Sequence, residues 1–297
     1  MCLIAFAINA SERWPLVIAS NRDEFLNRPT VALARWQTPS GHQIVSGRDL
    51  RAGGTWLGMT PTGRVAFLTN VREAGALAAA LSRGELVTRW LEAECDAAAF
   101  VAALQTSEGE PGGYAGFNLV LGDFHRNAWT WVTNRPAPGN KPESGAANWQ
   151  LQTLAPGIYG LSNAALDTPW PKITQVKAAL TDALNVNPDA KDPQALQTPL
   201  WAALADRKRA SRESLPDTGV PLALEEALSS AFVYFPENAY GTRSSTVLLA
   251  GAHETFDGRR CWEVQVQERE HLYAEADASI SSSARRWRNH CETMRWL

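Results

Sequence analysis

The second residue offers the most chemistry. Methionine aminopeptidases act when residue two is small, and removal of Met1 would leave Cys2 with both a thiol and a free α-amine. An α-amine has an ordinary pKa of about 7.7–8.0, so it can take up a proton near neutrality. A deprotonated thiol is a strong nucleophile, and the pair would need no histidine. It would still need a carboxylate to orient the ammonium and N–H donors for a developing oxyanion. Asp23, in Ser20-Asn21-Arg22-Asp23-Glu24, suits the first task. Asn70 and Asn163 suit the second, because each closes an apolar run, Val65-Ala66-Phe67-Leu68-Thr69 and Ile158-Tyr159-Gly160-Leu161-Ser162. Arg243 directly precedes another run and is placed to hold a carboxylate or support the amine. Each residue also has a plainer reading. Cysteine is commonly buried, and Asp and Asn commonly form turns at strand ends. Taken singly, the plainer readings weigh more.

The elements that must position these groups are mainly strands. Leu3–Ile8 and Pro15–Ala19 are unbroken apolar runs around a polar turn, Asn9 to Arg13, and read as a hairpin covered on both faces. With the turn centred between Ser11 and Glu12, paired residue numbers sum to about 23, which sets Cys2 opposite Asn21 and Asp23 just past the strand end. Thr55–Met59 with Arg64–Thr69 is a second hairpin, which sets Asn70 opposite Gly54. Phe117–Leu121 with Ala128–Val132 is a third, and Ile158–Leu161, Ser245–Ala250 and Trp262–Gln267 are further strands. Helices are expected at Gly84–Ala93, Ala97–Leu104, Pro169 to about Leu184, Thr198 to about Ala205 and Leu222–Phe232. Residues 134–150 and 185–194 read as loops. No repeat or domain boundary is visible, so residues 1–297 read as one α+β domain.

Composition narrows the function classes. The chain has 297 residues, 45% apolar and 20% charged, with 28 Lys plus Arg against 31 Asp plus Glu. That balance gives a net charge of -3, which provides no field for nucleic acid. No apolar run reaches about 18 residues and no secretory signal precedes the first strand, so a cytoplasmic protein with no stable membrane anchor is expected. The cysteines are Cys2, Cys95, Cys261 and Cys291, too few and too scattered for a disulfide scaffold or metal cluster. Gly53-Gly54 lacks nucleotide-loop spacing and reads as close backbone approach beside Asn70. Glu12, Glu73 and Glu85 offer no paired-carboxylate geometry. Ala284-Arg285-Arg286-Trp287-Arg288-Asn289-His290 reads as a solvated surface, or as a site for an anionic ligand.

Several blocks together resemble the NRDE family, that of transport and Golgi organisation protein two. They include Ser20 to Phe25, Gly53 to Gly58, Leu68-Thr69-Asn70, Gly160 to Asn163, Leu166 to Lys172 and Tyr240 to Thr246. The resemblance implies an N-terminal nucleophile hydrolase fold, a four-layer αββα sandwich. It also implies a catalytic set of Cys2, Asp23, Asn70, Asn163 and Arg243, with Asn21, Arg22 and Gly54 as binding residues. The similar choloylglycine and penicillin V acylases carry an arginine just before the asparagine of the first hairpin, whereas here Ser20 stands there and Arg22 follows. Three functions remain open. The first is hydrolysis of an amide or thioester in a small, partly apolar substrate, with no required cofactor and no metal. The second, implied by the family, is non-catalytic haem binding or haem trafficking, in which the twelve tryptophans could line a slot. His42, His125, His253, His271 and His290 sit in no haem motif. The third is a purely structural interaction protein. Oligomeric state is not legible.

Overall fold

The two apolar runs at the N-terminus form the centre of a sheet, and the other layers follow from their double-sided burial. The computed structural model describes residues 2–75, 79–107, 113–135, 149–186, 192–254, 260–273 and 286–297. In chain order the first strands are β1 (Cys2–Ile8), β2 (Leu16–Phe25), β3 (Thr30–Gln37), β4 (Gln43–Asp49), β5 (Leu57–Met59) and β6 (Arg64–Asn70). Helices α1 (Arg83–Glu92) and α2 (Ala97–Ser107) precede β7 (Phe117–Asp123), β8 (Ala128–Thr133), β9 (Gln150–Thr153) and β10 (Gly157–Leu161). Then come α3 (Pro171–Val186), α4 (Pro193–Leu204), α5 (Leu222–Ala227), β11 (Tyr234–Phe235), β12 (Tyr240–Glu254), β13 (Arg260–Leu272) and β14 (Arg286–Trp296). One antiparallel sheet has the order β10-β1-β2-β12-β13-β14, with β11 paired to β12. The other runs β3 to β9 in sequence order.

Side-chain alternation along β1 and β2 builds the layers. Ile4, Phe6, Ile8, Leu16 and Ile18 pack between the sheets against Val45, Leu57, Met59, Val65 and Phe67. Leu3, Ala5, Ala7, Val17 and Ala19 face the other way, onto Ile173, Val176 and Leu180 of α3 and Leu196, Leu200 and Leu204 of α4. The second sheet buries Ile44, Ala66, Leu68, Leu119 and Leu121 under Leu86, Val87, Trp90 and Leu91 of α1 and Phe100 and Leu104 of α2. The result is helix, sheet, sheet, helix: the four-layer αββα sandwich.

Several expectations need correcting. The first hairpin closes at Asn9, whose amide donates to the Pro15 carbonyl at 2.7 Å. The turn therefore centres on Glu12, and Cys2 pairs with Arg22 rather than Asn21. Asp23 lies inside β2, not past its end, because β2 continues along β12, where Asp23 pairs with Thr242. Helix α4 starts at Pro193 rather than Thr198. Asp192 caps it, accepting from the Gln194 amide at 3.0 Å, and Pro199 is carried inside the helix. Helix α5 stops at Ala227 rather than Phe232. Ser229 and Ser230 then turn their hydroxyls onto the Glu226 and Phe232 carbonyls, local bonds that compete with helix. Strands β3, β4, β9, β11 and β14 were not anticipated. The basic stretch Arg286–His290 is the start of β14, an edge strand. Most of residues 134–150, read as loop, lie outside the described residues.

Candidate functional site

At the end of the sandwich where β1 begins and β2 ends, the sheets part to leave a cleft of ≈ 520 Å³. Arg22, Asp23, Glu24, Arg28, Asp49, Trp56 and Asn70 line it, with Leu68, Val71 and Leu81 as apolar wall. Met1 and the side chain of Cys2 lie outside the described residues. The register sets position 2 opposite Arg22, in the inter-sheet series of Ile4, Phe6 and Ile8.

Arg22 is almost fully buried, and its guanidinium stacks over the Trp56 ring at 4.0 Å from the centroid. It donates to Thr30 Oγ1 at 3.2 Å and lies 3.8 Å from Asp49 and 4.0 Å from Glu24. Arg28 holds the same Asp49 carboxylate at 2.7 Å. The wall is thus a lattice of paired charges in which Arg22 is held flat and fixed.

Asp23 is buried and accepts from Thr242 Oγ1 at 2.7 Å. Burial raises its pKa above the ordinary carboxylate value, while the Lys172 and Arg72 cations and the Thr242 hydrogen bond pull it back. Lys172 is itself buried and donates to the Leu228 carbonyl at 3.0 Å. Arg72 pairs with the buried Glu225 carboxylate. Burial lowers the Arg72 pKa, and Glu225 restores part of it. Sequence reasoning missed Lys172, Arg72, Glu225 and Asp49. Lys172 lies in one of the quoted blocks, but nothing in its residue type signals burial.

Asn70 ends β6 at the cleft and is half-buried. Asn163 sits behind it: its Nδ2 donates to the Asn70 carbonyl at 2.9 Å, and its Oδ1 accepts from Arg72 at 3.3 Å. The Arg72 amide also donates to the Asn163 carbonyl at 2.8 Å. Asn163 therefore braces the strand end that carries Asn70, with one of its own N–H groups already used.

Three sequence-derived assignments change. Asn21 does not face the cleft. It is fully buried on the helix side of β2, donating to the Leu204 and Ala231 carbonyls at 2.8 Å each and accepting from Ser245 at 2.6 Å. Arg243 sits at a bulge in β12 and donates to the Phe25 and Arg28 carbonyls at 3.0 and 2.9 Å, so it anchors the loop after β2, and no carboxylate among the described residues is bonded to it. Gly54 does make a close backbone approach, but to Gly84 at the start of α1: a Cβ there would lie 2.2 Å from the Gly84 carbonyl carbon. Among the described residues, no histidine or methionine lines the cleft. His271 bonds Ser245 at 2.9 Å and His290 bonds Glu270 at 3.0 Å. No group of three His, Cys, Asp or Glu side chains able to hold a metal exists among the described residues.

Residues 1–263 match the family model described as Transport and Golgi organisation 2. The Transport and Golgi organization protein 2 homolog of Bos taurus is 33% identical over 275 residues, 87% of this chain and 92% of that protein. The Drosophila melanogaster Transport and Golgi organization protein 2 is 25% identical over 262 residues, 84% of this chain and 87% of that protein. Among solved structures, the Caenorhabditis elegans N-acylethanolamine-hydrolyzing acid amidase ortholog aligns with a TM-score of 0.48 at 12% identity, covering 83% of this chain and 92% of that one.

Proposed function

The chain belongs to the Transport and Golgi organisation 2 family, and from that premise and the geometry of the cleft we propose that it is a cysteine hydrolase acting through an N-terminal Cys2. Its substrate is an amide or thioester of a small, partly apolar molecule. One observation carries the reading: a buried carboxyl, Asp23, follows directly after the residue paired with Cys2, at a cleft that also holds Asn70.

The proposed steps follow from the groups present. Met1 is removed, and the Cys2 α-amine takes the thiol proton. The thiolate attacks the substrate carbonyl, forming a C–S bond while the carbonyl π pair moves to oxygen. Asn70 Nδ2 donates to that oxyanion, and Asn163 keeps Asn70 in place. The ammonium returns its proton to the leaving nitrogen or sulfur as that bond breaks. Water then hydrolyses the acyl-enzyme with the amine again as base. Asp23, which Lys172 and Arg72 draw toward its anionic form against the burial that raises its pKa, orients the ammonium throughout. Arg22 and Asp49 give the substrate a polar wall, and Leu68, Val71 and Leu81 give it an apolar one.

Intact-protein mass spectrometry with an electrophilic acyl probe tests this reading. The expected result is a chain lacking Met1 that gains one acyl group, with the adduct lost in Cys2→Ala at unchanged melting temperature. Retained Met1 in the purified protein, or equal labelling of Cys2→Ala, refutes it.

A further inference from the structure

Large apolar side chains left open to solvent lie at the end of the sandwich where the cleft opens. Phe25, Val31, Leu50, Tyr234, Leu272 and Trp287 are each 41–55% exposed. Hydrogen bonds and register place them at one end of the sandwich, with Trp287 on the helix side of its sheet, beside Arg269, and Leu272 on the opposite side. Phe25 pairs with Tyr240, and Tyr234 pairs with Gly241. Tyr273 stacks on Tyr234 at 5.4 Å and donates to the Thr242 carbonyl at 2.6 Å, which brings Leu272 beside them. Leu272 and its neighbour His271 pair with Arg286 and Trp287 on the edge strand. On the other sheet, Val31 pairs with Arg48, and the Leu50 amide donates to the Pro29 carbonyl at 3.0 Å. From β2 across β12 and β13 to β14 is three strand spacings, about 14 Å.

Cations intersperse with these side chains. Arg51, Arg207 and Arg286 are exposed, and Arg243 is half-exposed. Arg207 lies over the Phe232 and Tyr234 rings at 4.5 and 6.0 Å. The carboxylates of this face are largely held in ion pairs: Glu24 and Asp49 by Arg22 and Arg28, Glu270 by His290 and Arg288. Glu237 is an exposed carboxylate at this end. A chain of net charge -3 therefore carries exposed arginines and aromatic side chains together at this end.

We propose that this end of the sandwich docks on an anionic lipid bilayer, with the cleft opening toward the headgroups. Exposed Trp and Tyr beside aliphatic side chains match the interfacial region of a bilayer, and arginines among them match anionic headgroups. Charge complementarity selects the lipid as occupant. The attachment is peripheral, as no helix among the described residues is long and apolar enough to cross a membrane.

The test is co-sedimentation of the full chain with vesicles of phosphatidylcholine alone, or with about three parts in ten phosphatidylserine. The expected result is binding at least about tenfold tighter to the anionic vesicles, weakening as salt rises. Arg51→Glu with Arg286→Glu reduces it at least about tenfold, and Phe25→Ser with Trp287→Ser at least about fivefold. Arg126→Glu, an exposed arginine on the β7–β8 turn at the opposite end, changes it by less than about twofold. Absence of binding to either vesicle by the wild-type chain overturns the proposal. So does an equal loss from Arg126→Glu, full retention by both paired variants at unchanged melting temperature, or binding of RNA in place of vesicles.

Discussion

Asn21→Ala separates a structural from a ligand-binding role for the first motif residue. Asn21 Nδ2 donates to the carbonyl of Leu204, the last residue of α4, and to that of Ala231, both at 2.8 Å. A helix leaves its final carbonyls without intrahelical partners, so this amide completes the end of α4 from inside a neighbouring strand. Its oxygen accepts from Ser245 at 2.6 Å. Truncation removes three hydrogen bonds worth about 1 kcal/mol each and leaves two buried carbonyls without their amide donor. Ser245 retains His271 as an alternative partner at 2.9 Å, so its hydroxyl adds little. The two lost carbonyl bonds set the cost at about 2 kcal/mol. For a chain of this size that corresponds to a fall in melting temperature of about 4–8 °C. Thermal melting followed by circular dichroism measures it, with the rate of Cys2 labelling taken well below the transition as second readout. The labelling rate is expected to stay near wild type. A melting temperature within about 1 °C of wild type, combined with lost labelling or ligand affinity, would place Asn21 at the ligand and refute the assignment.

Other substitutions probe separate parts of the site. Arg72→Ala leaves Glu225 buried without its cation and is expected to cost about 3–5 kcal/mol in denaturant unfolding, with part recovered by adding Glu225→Gln. Gly54→Ala drives a Cβ to 2.2 Å from rigid backbone at Gly84, and is expected to cost about 3 kcal/mol or more, or to displace the start of α1, read by melting and near-ultraviolet dichroism. Asn70→Ala is expected to slow acylation by about 10²–10³ while leaving the melting temperature within a few degrees, as measured by single-turnover kinetics. Glu268 is buried between the sheets, where burial raises its pKa above the ordinary 4.5 despite the Leu33 N–H it accepts. The folded chain then keeps a proton that the unfolded chain has lost. The stability contributed by this group is full below the ordinary value and is lost as pH rises through the raised one. Glu268→Gln removes that loss, so unfolding free energies measured from about pH 4 to about pH 8 should move in favour of the variant; a difference independent of pH sinks the assignment.

How much was readable in advance depended on burial. Strands β1 and β2 are covered on both faces, so each appears as an unbroken apolar run. Strand β14 lies at a sheet edge, and Arg286-Trp287-Arg288-Asn289-His290 carries no apolar alternation; only Met294 and Trp296 reach the core. Strand β3 is similar, with Leu33 its one fully covered residue. Pro199 suggested a helix start because proline favours the first turn, but Pro193 already holds that place and tertiary packing of Leu200 and Leu204 carries the helix through the second proline. Asp23 and Asn70 were legible from their places in the first hairpin and at a strand end, and Arg22 from the motif blocks. Lys172, Arg72 and Glu225 were not assigned to the site, because charged residues ordinarily lie at the surface and only the fold shows these three enclosed together.

The single-residue difference in hairpin register bears most directly on the chemistry. Side chains alternate along a strand, so a shift of one residue moves a position to the opposite face of the sheet. Pairing with Asn21 would have put position 2 in the series of Leu3's cross-strand neighbour, facing Leu204 and Ala231 under α4. Pairing with Arg22 puts it in the series that ends at the cleft. Asp23, one residue further, belongs to the helix-side series of Asn21, where Lys172 and Thr242 meet it. The carboxyl and the arginine that flank position 2 thus reach it from different faces of the sheet. Under the proposed mechanism that division serves two functional groups: Asp23 on the helix side would meet the amine, and Arg22 with Asp49 on the cleft side would meet the substrate.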